Sequence, residues 1–266
     1  MSRPTWAGSD QFMTTANRHA PRAATTTSRA CTSFSRPPPP GGTVRPGDDL
    51  YYRGLVPPVS PFRPDDARAV RQRAAAIVRQ VAALPRLPPR VALFYLRAFW
   101  TAISRGDRWS LYVAMRPREL AEVLTLALGR FTVVEVGTGT AWTAIALALA
   151  EPGRRVTSYD IIIRPERHLY LGLVGEDVRS RLDLLDRNRA RPEAGPARPD
   201  MVFIDSSHER EETVATFREW EPRLVAGGVV GFHDYLNPFF PGIAEAVEEL
   251  GLEGKLVGDM FVWSKG

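Results

Sequence analysis

Lysine is almost missing from these 266 residues. Only Lys255 and Lys265 occur, so arginine carries nearly all the positive charge. The single cysteine, Cys31, allows no intrachain disulfide, which fits a cytoplasmic protein. No run of ~18 apolar residues exists, so no transmembrane helix is expected. The N-terminus holds charges and prolines where a secretory signal needs an apolar core, which argues against secretion. The net charge is +5, but the arginines are scattered among Asp and Glu and lack an aromatic-basic pattern. Nucleic acid is therefore not an expected partner, and neither is a membrane.

What is present falls into three expected parts: a disordered or extended segment over 1–60, a helical cap or extension over 61–108, and an α/β domain over 109–266. Residues 1–60 are Ser, Thr, Arg and Pro, with Pro37 to Pro40 followed by Gly41-Gly42. That composition buries too little apolar surface to offset ordering entropy. Tyr51-Tyr52 and Leu55-Val56 could dock as an extended strap. Pro64-Asp65-Asp66 opens a helix with acid in its first turn, and Val70, Ile77, Val81 and Leu84 line one face. Val91 to Ser104 reads as a second helix. Its Phe94, Tyr95, Phe99 and Trp100 are expected to pack into a core, with a cap over a site or a dimer face as alternatives. Pro117 starts a third helix that Gly129 closes.

The domain turns on Phe131 to Trp142. Val133, Val134, Val136 and Thr132 suit a buried strand. Gly137 and Gly139 follow, then an apolar helix from Ala141 to Ala150. Strand, glycine turn and helix make a nucleotide cradle: the glycines admit close backbone approach, and the helix start brings unpaired N–H groups. A dinucleotide fingerprint needs a glycine where Trp142 stands, and a Walker loop needs a Gly-Lys pair that is missing.

Beyond the turn, strands alternate with helices. Arg155 to Tyr159 is a strand ending at Asp160, 23 residues after Gly137 (160 − 137), the spacing of an acid that holds ribose hydroxyls. A turn or capping aspartate is the plainer alternative. Pro165 to Val174 reads as a helix, Arg181 to Leu185 as a strand ending near Asp186, and Arg187 to Arg198 as a loop. Met201 to Ile204 is a strand ending in Asp205-Ser206-Ser207-His208. Glu211 to Leu224 is a helix, with Ser206 and Glu209 spaced as a capping box. Val229 to Phe232 ends in His233-Asp234-Tyr235. Pro241 to Leu250 is a helix, and Leu256-Val257 with Met260 to Trp263 forms a closing antiparallel hairpin. This alternation predicts a Rossmann-like, mostly parallel sheet with helices on both faces. Ligands of such sheets bind beyond the strands' C-terminal ends, where Glu135, Asp160, Asp205, His233 and Asp234 all fall.

The Glu135-x-Gly137-x-Gly139-x-Ala141 turn resembles the first motif of class I S-adenosylmethionine (SAM) methyltransferases, with Ala141 in place of a frequent third glycine. The second half is more specific. Phe203-Ile204-Asp205-Ser206-Ser207-His208, Trp220, Leu224, Gly227-Gly228, His233-Asp234-Tyr235 and Pro241-Gly242 are similar to the "Asp-x-x-His … Gly-Gly … His-Asp" group of bacterial small-molecule O-methyltransferases and cephalosporin-hydroxylase-like enzymes. The resemblance covers roughly the last 160 residues. It implies a seven-stranded sheet, SAM as donor and a small-molecule acceptor. It places cofactor contacts at Glu135, Gly137, Thr138, Gly139, Asp160, Asp186 and Asp205. Some members hold a divalent metal with acids at the ends of the fourth and fifth strands, which points to Asp205 and Asp234. Two carboxylates suit Mg²⁺, although His233 stands where those members often carry an acid. The proton of an oxygen acceptor would go to His233 or His208, near Asp205, or be loosened by that metal. A non-catalytic SAM-fold scaffold and an NAD-type oxidoreductase are the rival functions. The acceptor's identity is not legible, and a homo-oligomer is left open.

Overall fold

The computed structural model describes residues 81–187, 196 and 198–266. The expected segment over 1–60, its strap, almost all of the helix from Pro64 and most of the loop over 187–198 lie outside the described residues.

The chain enters through a 3-10 turn, Leu84–Arg86, into helix α1 (Pro89–Arg105). Proline at its first position is tolerated because that N–H has no helical partner. Gly106, at φ 68°, ends it in the left-handed conformation that glycine adopts without penalty. Val91, Phe94, Ala98 and Ala102, spaced by three and four, form its buried stripe. The aromatics expected to pack together are split by this stripe. Phe94 and Tyr95 meet Trp142 edge-on, with ring centroids 6.5 and 5.5 Å away, whereas Phe99 and Trp100 are exposed.

Helix α2 (Arg108–Val113) was not expected. Its start is capped by Asp107, whose Oδ1 accepts the Ser110 N–H at 3.0 Å. Helix α3 (Pro117–Leu126) leads to strand β1 (Thr132–Val136). Helix α4 (Trp142–Ala150) follows, and strand β2 (Arg155–Asp160) comes next. The helix expected over 165–174 is found shorter, as α5 (Arg167–Leu171), and a further short helix, α6 (Glu176–Arg179), follows it. Gly172 and Gly175 separate them, and glycine is a poor helix interior. Strands β3 (Leu182–Asp186) and β4 (Met201–Ile204) precede α7 (Arg210–Trp220), which ends in a 3-10 turn at Glu221–Arg223. Pro222 has no N–H to continue the α ladder. Strand β5 (Val229–Phe232), helix α8 (Pro241–Glu249) and the hairpin β6 (Gly254–Val257) with β7 (Met260–Ser264) complete the chain.

The seven strands form one sheet in the order β3-β2-β1-β4-β5-β7-β6. Strands β1 to β5 pair parallel, and the hairpin joins β5 antiparallel, so the expected Rossmann-like architecture is the one found. Alternate strand residues feed two cores. Val133, Val156, Met201, Phe203 and Val229 pack with α1, α3 and α4 on one face. Val134, Val136, Val202, Ile204, Val230 and Phe232 pack with Phe217, Trp220, Ile243 and Val247 on the other. Between two covered layers α4 is buried nearly all round, which explains why its sequence carries almost no polar residue. The strand order reverses between β1 and β4, and this switch point opens the crevice in which such sheets bind ligands.

Candidate functional site

The glycine turn leaves β1 at the switch point. Gly137 has φ 108°, and a Cβ on it would run into the backbone carbonyl of Asp205 at the end of β4. Only glycine lets the two strand ends lie this close. The Asp205 N–H donates to the Val136 carbonyl at 2.8 Å and locks the arrangement. Ala141 holds φ 70°, the left-handed conformation that a third glycine would adopt at no cost.

Glu135 points into the protein and is fully buried. It accepts a hydrogen bond from the Ser158 hydroxyl on β2. With its one hydrogen used, Ser158 accepts from Thr138 Oγ1 at 2.7 Å. Burial pushes the Glu135 carboxyl up to about 8; the Ser158 hydrogen bond opposes that, and the Asp205 and Asp160 charges add to it. Glu135 and Thr138 therefore brace the turn through Ser158. A second brace comes from α2, where Ser110 Oγ lies 2.8 Å from Thr140 Oγ1.

Asp160 and the turn are adjacent: Asp160 Oδ2 accepts the Gly139 N–H at 2.7 Å. The carboxylate is already engaged, however. Oδ1 accepts the Ile162 N–H at 3.0 Å, and Oδ2 also accepts Arg167 Nη2 at 3.0 Å. Arg167 reaches across the gap and donates through Nε to the Gly139 carbonyl at 2.7 Å. Three of roughly four acceptor positions on the acid are filled, so a vicinal diol needs Arg167 to swing away. Asp186 is the register partner of Asp160, at the same end of the sheet and one strand farther from the turn.

On the other side of the turn, Asp205, His208, His233 and Asp234 converge, with one ligand-type atom of each inside a 4.8 Å span. His233 Nδ1 is 3.1 Å from Asp205 Oδ1 and 3.3 Å from Asp234 Oδ2. His208 Nε2 is 3.1 Å from Asp234 Oδ2 and 3.4 Å from Asp205 Oδ1. It makes a well-directed hydrogen bond to neither, although the atom is buried. Burial lowers the affinity of His208 for a proton, but the two carboxylates outweigh this and hold it at about 9. His233 is likewise raised, and Asp205 and Asp234 are held well below the ordinary carboxylate range by the imidazoles, against burial. His208 and Asp234 carry φ 64° and 57°, unusual for residues with a Cβ. Asn237 Nδ2 donates to Asp234 Oδ1 at 3.0 Å, and the Phe240 ring stacks on His208 at 4.3 Å. Beside His208 opens a groove of about 290 Å³ bordered by Phe239, Phe240, Arg210 and Glu245.

The expected capping box is absent. Glu209, not Ser206, is the N-cap of α7 and bonds through no side chain, while Ser206 Oγ is buried without a partner. Ser206 sits at the switch point instead of the helix start, because the backbone takes its left-handed step at His208. Sequence reasoning missed Arg167, Trp109, Ser110 and Phe240. Trp109 borders Gly139, where a Cβ would come to 3.2 Å from its ring, and Arg164 lies 3.6 Å over that ring. Gly106-Asp107 with Ser110 three residues on was a readable helix stop and N-cap. Nothing in the sequence marked Arg167 or Phe240.

Residues 134–235, from the organising strand through the His233-Asp234-Tyr235 run, match the family model described as a methyltransferase domain. No curated protein matches the chain. Among solved structures, the O-methyltransferase TomG from Streptomyces achromogenes, in complex with SAM, is 18% identical over 67% of this chain and 91% of its own, with a TM-score of 0.46. CalS11, the TDP-rhamnose 3'-O-methyltransferase of calicheamicin biosynthesis, is 17% identical over 73% and 95%, at 0.47. The O-methyltransferase from Bacillus cereus, in complex with SAH, is 16% identical over 55% and 78%, at 0.43. The matched stretch contains the glycine turn, Asp160 and the whole Asp-His cluster.

Proposed function

We propose that the chain is a SAM-dependent methyltransferase that moves a methyl group to an oxygen of a small molecule. The observation that carries this reading is the meeting, inside a methyltransferase domain, of the glycine turn with Asp160 on one side and the Asp-His cluster on the other. The turn and Asp160 would hold the adenosyl part, with Arg167 displaced from the acid as the ribose enters. Transfer breaks the methyl–sulfur bond and forms an oxygen–carbon bond. Sulfur keeps the electron pair, and the acceptor hydroxyl loses its proton. The charge on sulfur disappears in this step, so alignment of donor and acceptor is the main task of the protein.

The groove beside His208 is a fitting entrance for the acceptor, which would bring its hydroxyl to Asp205, His208, His233 and Asp234. Two routes for the hydroxyl proton fit these residues: uptake by His208 or His233, or prior weakening of the O–H bond by a divalent ion on the cluster. A bound ion would supply Lewis acidity. The residues fit such an ion, since two carboxylates and two imidazoles each bring a ligand-type atom into a 4.8 Å span.

No described helix is long and apolar enough to cross a membrane. We place the protein in the cytoplasm, acting without nucleic acid or membrane, with homo-oligomerisation compatible with the exposed Phe99 and Trp100. The test is calorimetry with SAM: the unmutated chain binds it, and Gly137→Arg or Asp160→Ala abolishes binding. No heat from the unmutated chain overturns the reading. A non-catalytic scaffold would bind SAM weakly, or bind it without turnover. An NAD enzyme would change nicotinamide fluorescence on titration.

A further inference from the structure

We propose that the groove beside His208 takes a flat, single-ring acceptor bearing a positively charged amine, with the ring on Phe239 and the charge toward Glu209 and Glu245. The proposal rests on the methyltransferase reading and names the acceptor class which that reading leaves open.

The groove lies where the starts of α7 and α8 meet. A Cβ on Gly242 would come 2.6 Å from the His208 carbonyl oxygen and 2.7 Å from the Arg210 nitrogen, so only glycine lets α8 begin this close to α7. The space beside this contact is about 290 Å³, at the lower end of the ~300–1,000 Å³ that small-molecule sites occupy. It suits one ring with a short arm. His208 borders the groove and also belongs to the Asp-His cluster, so the groove adjoins the residues that would receive the hydroxyl.

Phe239 supplies the platform. At 74% it is the most exposed large apolar side chain among the described residues, and it borders the groove. Phe240 spends one face on the His208 ring, at 4.3 Å and 22°. Phe239 is in no ring pair among the described residues, and its ring is available for stacking. Its backbone is held nonetheless. Asn237 Oδ1 accepts the Phe239 N–H at 3.1 Å, and Asn237 Nδ2 donates to Asp234 Oδ1 at 3.0 Å. One side chain thereby ties the platform to the cluster.

The charge of the groove selects the arm. Its charged borders outside the cluster are Glu209, Arg210, Glu211 and Glu245. Arg210 is already engaged: Nη2 lies 2.6 Å from Glu211 Oε1, and Nη1 pairs with Glu249. Glu209 and Glu245 are in no ion pair among the described residues. Two uncompensated carboxylates thus border this groove, on a chain whose net charge is +5. Helix starts favour anions, but both starts here are already answered. Glu211 and Glu212 occupy the first turn of α7, and α8 opens on Pro241, which has no N–H. An ammonium group complements such a border, and a carboxylate or phosphate is repelled by it.

The test is ligand-observed NMR titration of the full chain with tyramine, tyrosol and 4-hydroxyphenylacetate. These probes end the same phenol in an ammonium, a hydroxyl and a carboxylate. At low salt tyramine is expected to bind about fivefold more tightly than tyrosol, the size of one good exposed ion pair, and the carboxylate more weakly than either. Glu209→Gln combined with Glu245→Gln should erase the preference for tyramine and leave tyrosol unchanged. Phe239→Ala should weaken all three by about three- to tenfold, the worth of an aromatic pair, keep their order and leave the urea midpoint at the parent value. Equal affinities for the three probes, tighter binding of the carboxylate, no binding by any, or an order untouched by the paired glutamine substitutions overturns the proposal. The probes are titrated without SAM. The expected order without SAM affinity sinks the methyltransferase reading alone; SAM affinity without the order sinks this proposal alone.

Discussion

Glu135 gives the most quantitative test of the site's construction. Its carboxyl is fully buried and pushed from about 4.5 up to about 8. The sign follows from linkage. Below pH ~4.5 both folded and unfolded chains carry the proton, and stability is at its full value. Between ~4.5 and ~8 the unfolded chain releases the proton while the folded chain keeps it, so stability falls as pH rises. A shift of this size removes about 4 kcal/mol between pH 5 and pH 9. Glu135→Gln never ionises, and its amide oxygen can still accept from Ser158. Any fixed cost of the buried amide is the same at every pH, and titrations shared by the two proteins cancel. Urea midpoints at pH 5, 7 and 9 should show the variant gaining on the parent by about 4 kcal/mol across the range. A difference that stays constant within about 1 kcal/mol refutes the idea that Glu135 is held neutral by its surroundings.

Three further outcomes follow from the same geometry. Arg167→Met frees Asp160 from a charge-assisted hydrogen bond worth about 1.5–3 kcal/mol, so calorimetry should show SAM binding roughly tenfold tighter; weaker binding would make Arg167 a cofactor ligand and not a competitor. Phe94→Ala should cost about 3–5 kcal/mol in urea unfolding, while Trp100→Ala on the same helix should stay within about 0.5 kcal/mol in dilute solution; equal losses would contradict the split of the α1 aromatics. Gly137→Ala should lose SAM affinity, because the added methyl meets the Asp205 carbonyl; unchanged binding would show that the strand ends are not held together.

Much of this fold was legible because its signals are local. The Val-rich β1, the glycine pair and the apolar α4 state their own burial, and alternation of strand and helix leaves few topologies. The placement of Asp160, Asp205, His233 and Asp234 at strand ends followed from the same pattern. What was not legible depends on contacts across the chain. The pattern of α1 showed its aromatics but not which would face the sheet, since the choice between Phe94 and Trp100 is made by Trp142. The sequence set His208 beyond the strand without showing that it faces the two acids, and its backbone there carries a positive φ of 64°. Arg167 carried no motif, yet its guanidinium spans the gap between Gly139 and Asp160. The short Arg108–Val113 helix had a readable cap, but lies in a stretch whose pattern suggested only a connection.

The glycine at 137 presses directly on the Asp205 peptide, so the two halves of the crevice meet backbone to backbone with no side chain between them. Neither half can be remodelled alone. If ion capture on one side tightens or loosens the hold on the sulfonium compound on the other, thermodynamic reciprocity requires the converse by the same factor. Order of addition would then leave the final occupancy unchanged, and a chelator would alter retention of a molecule it never touches.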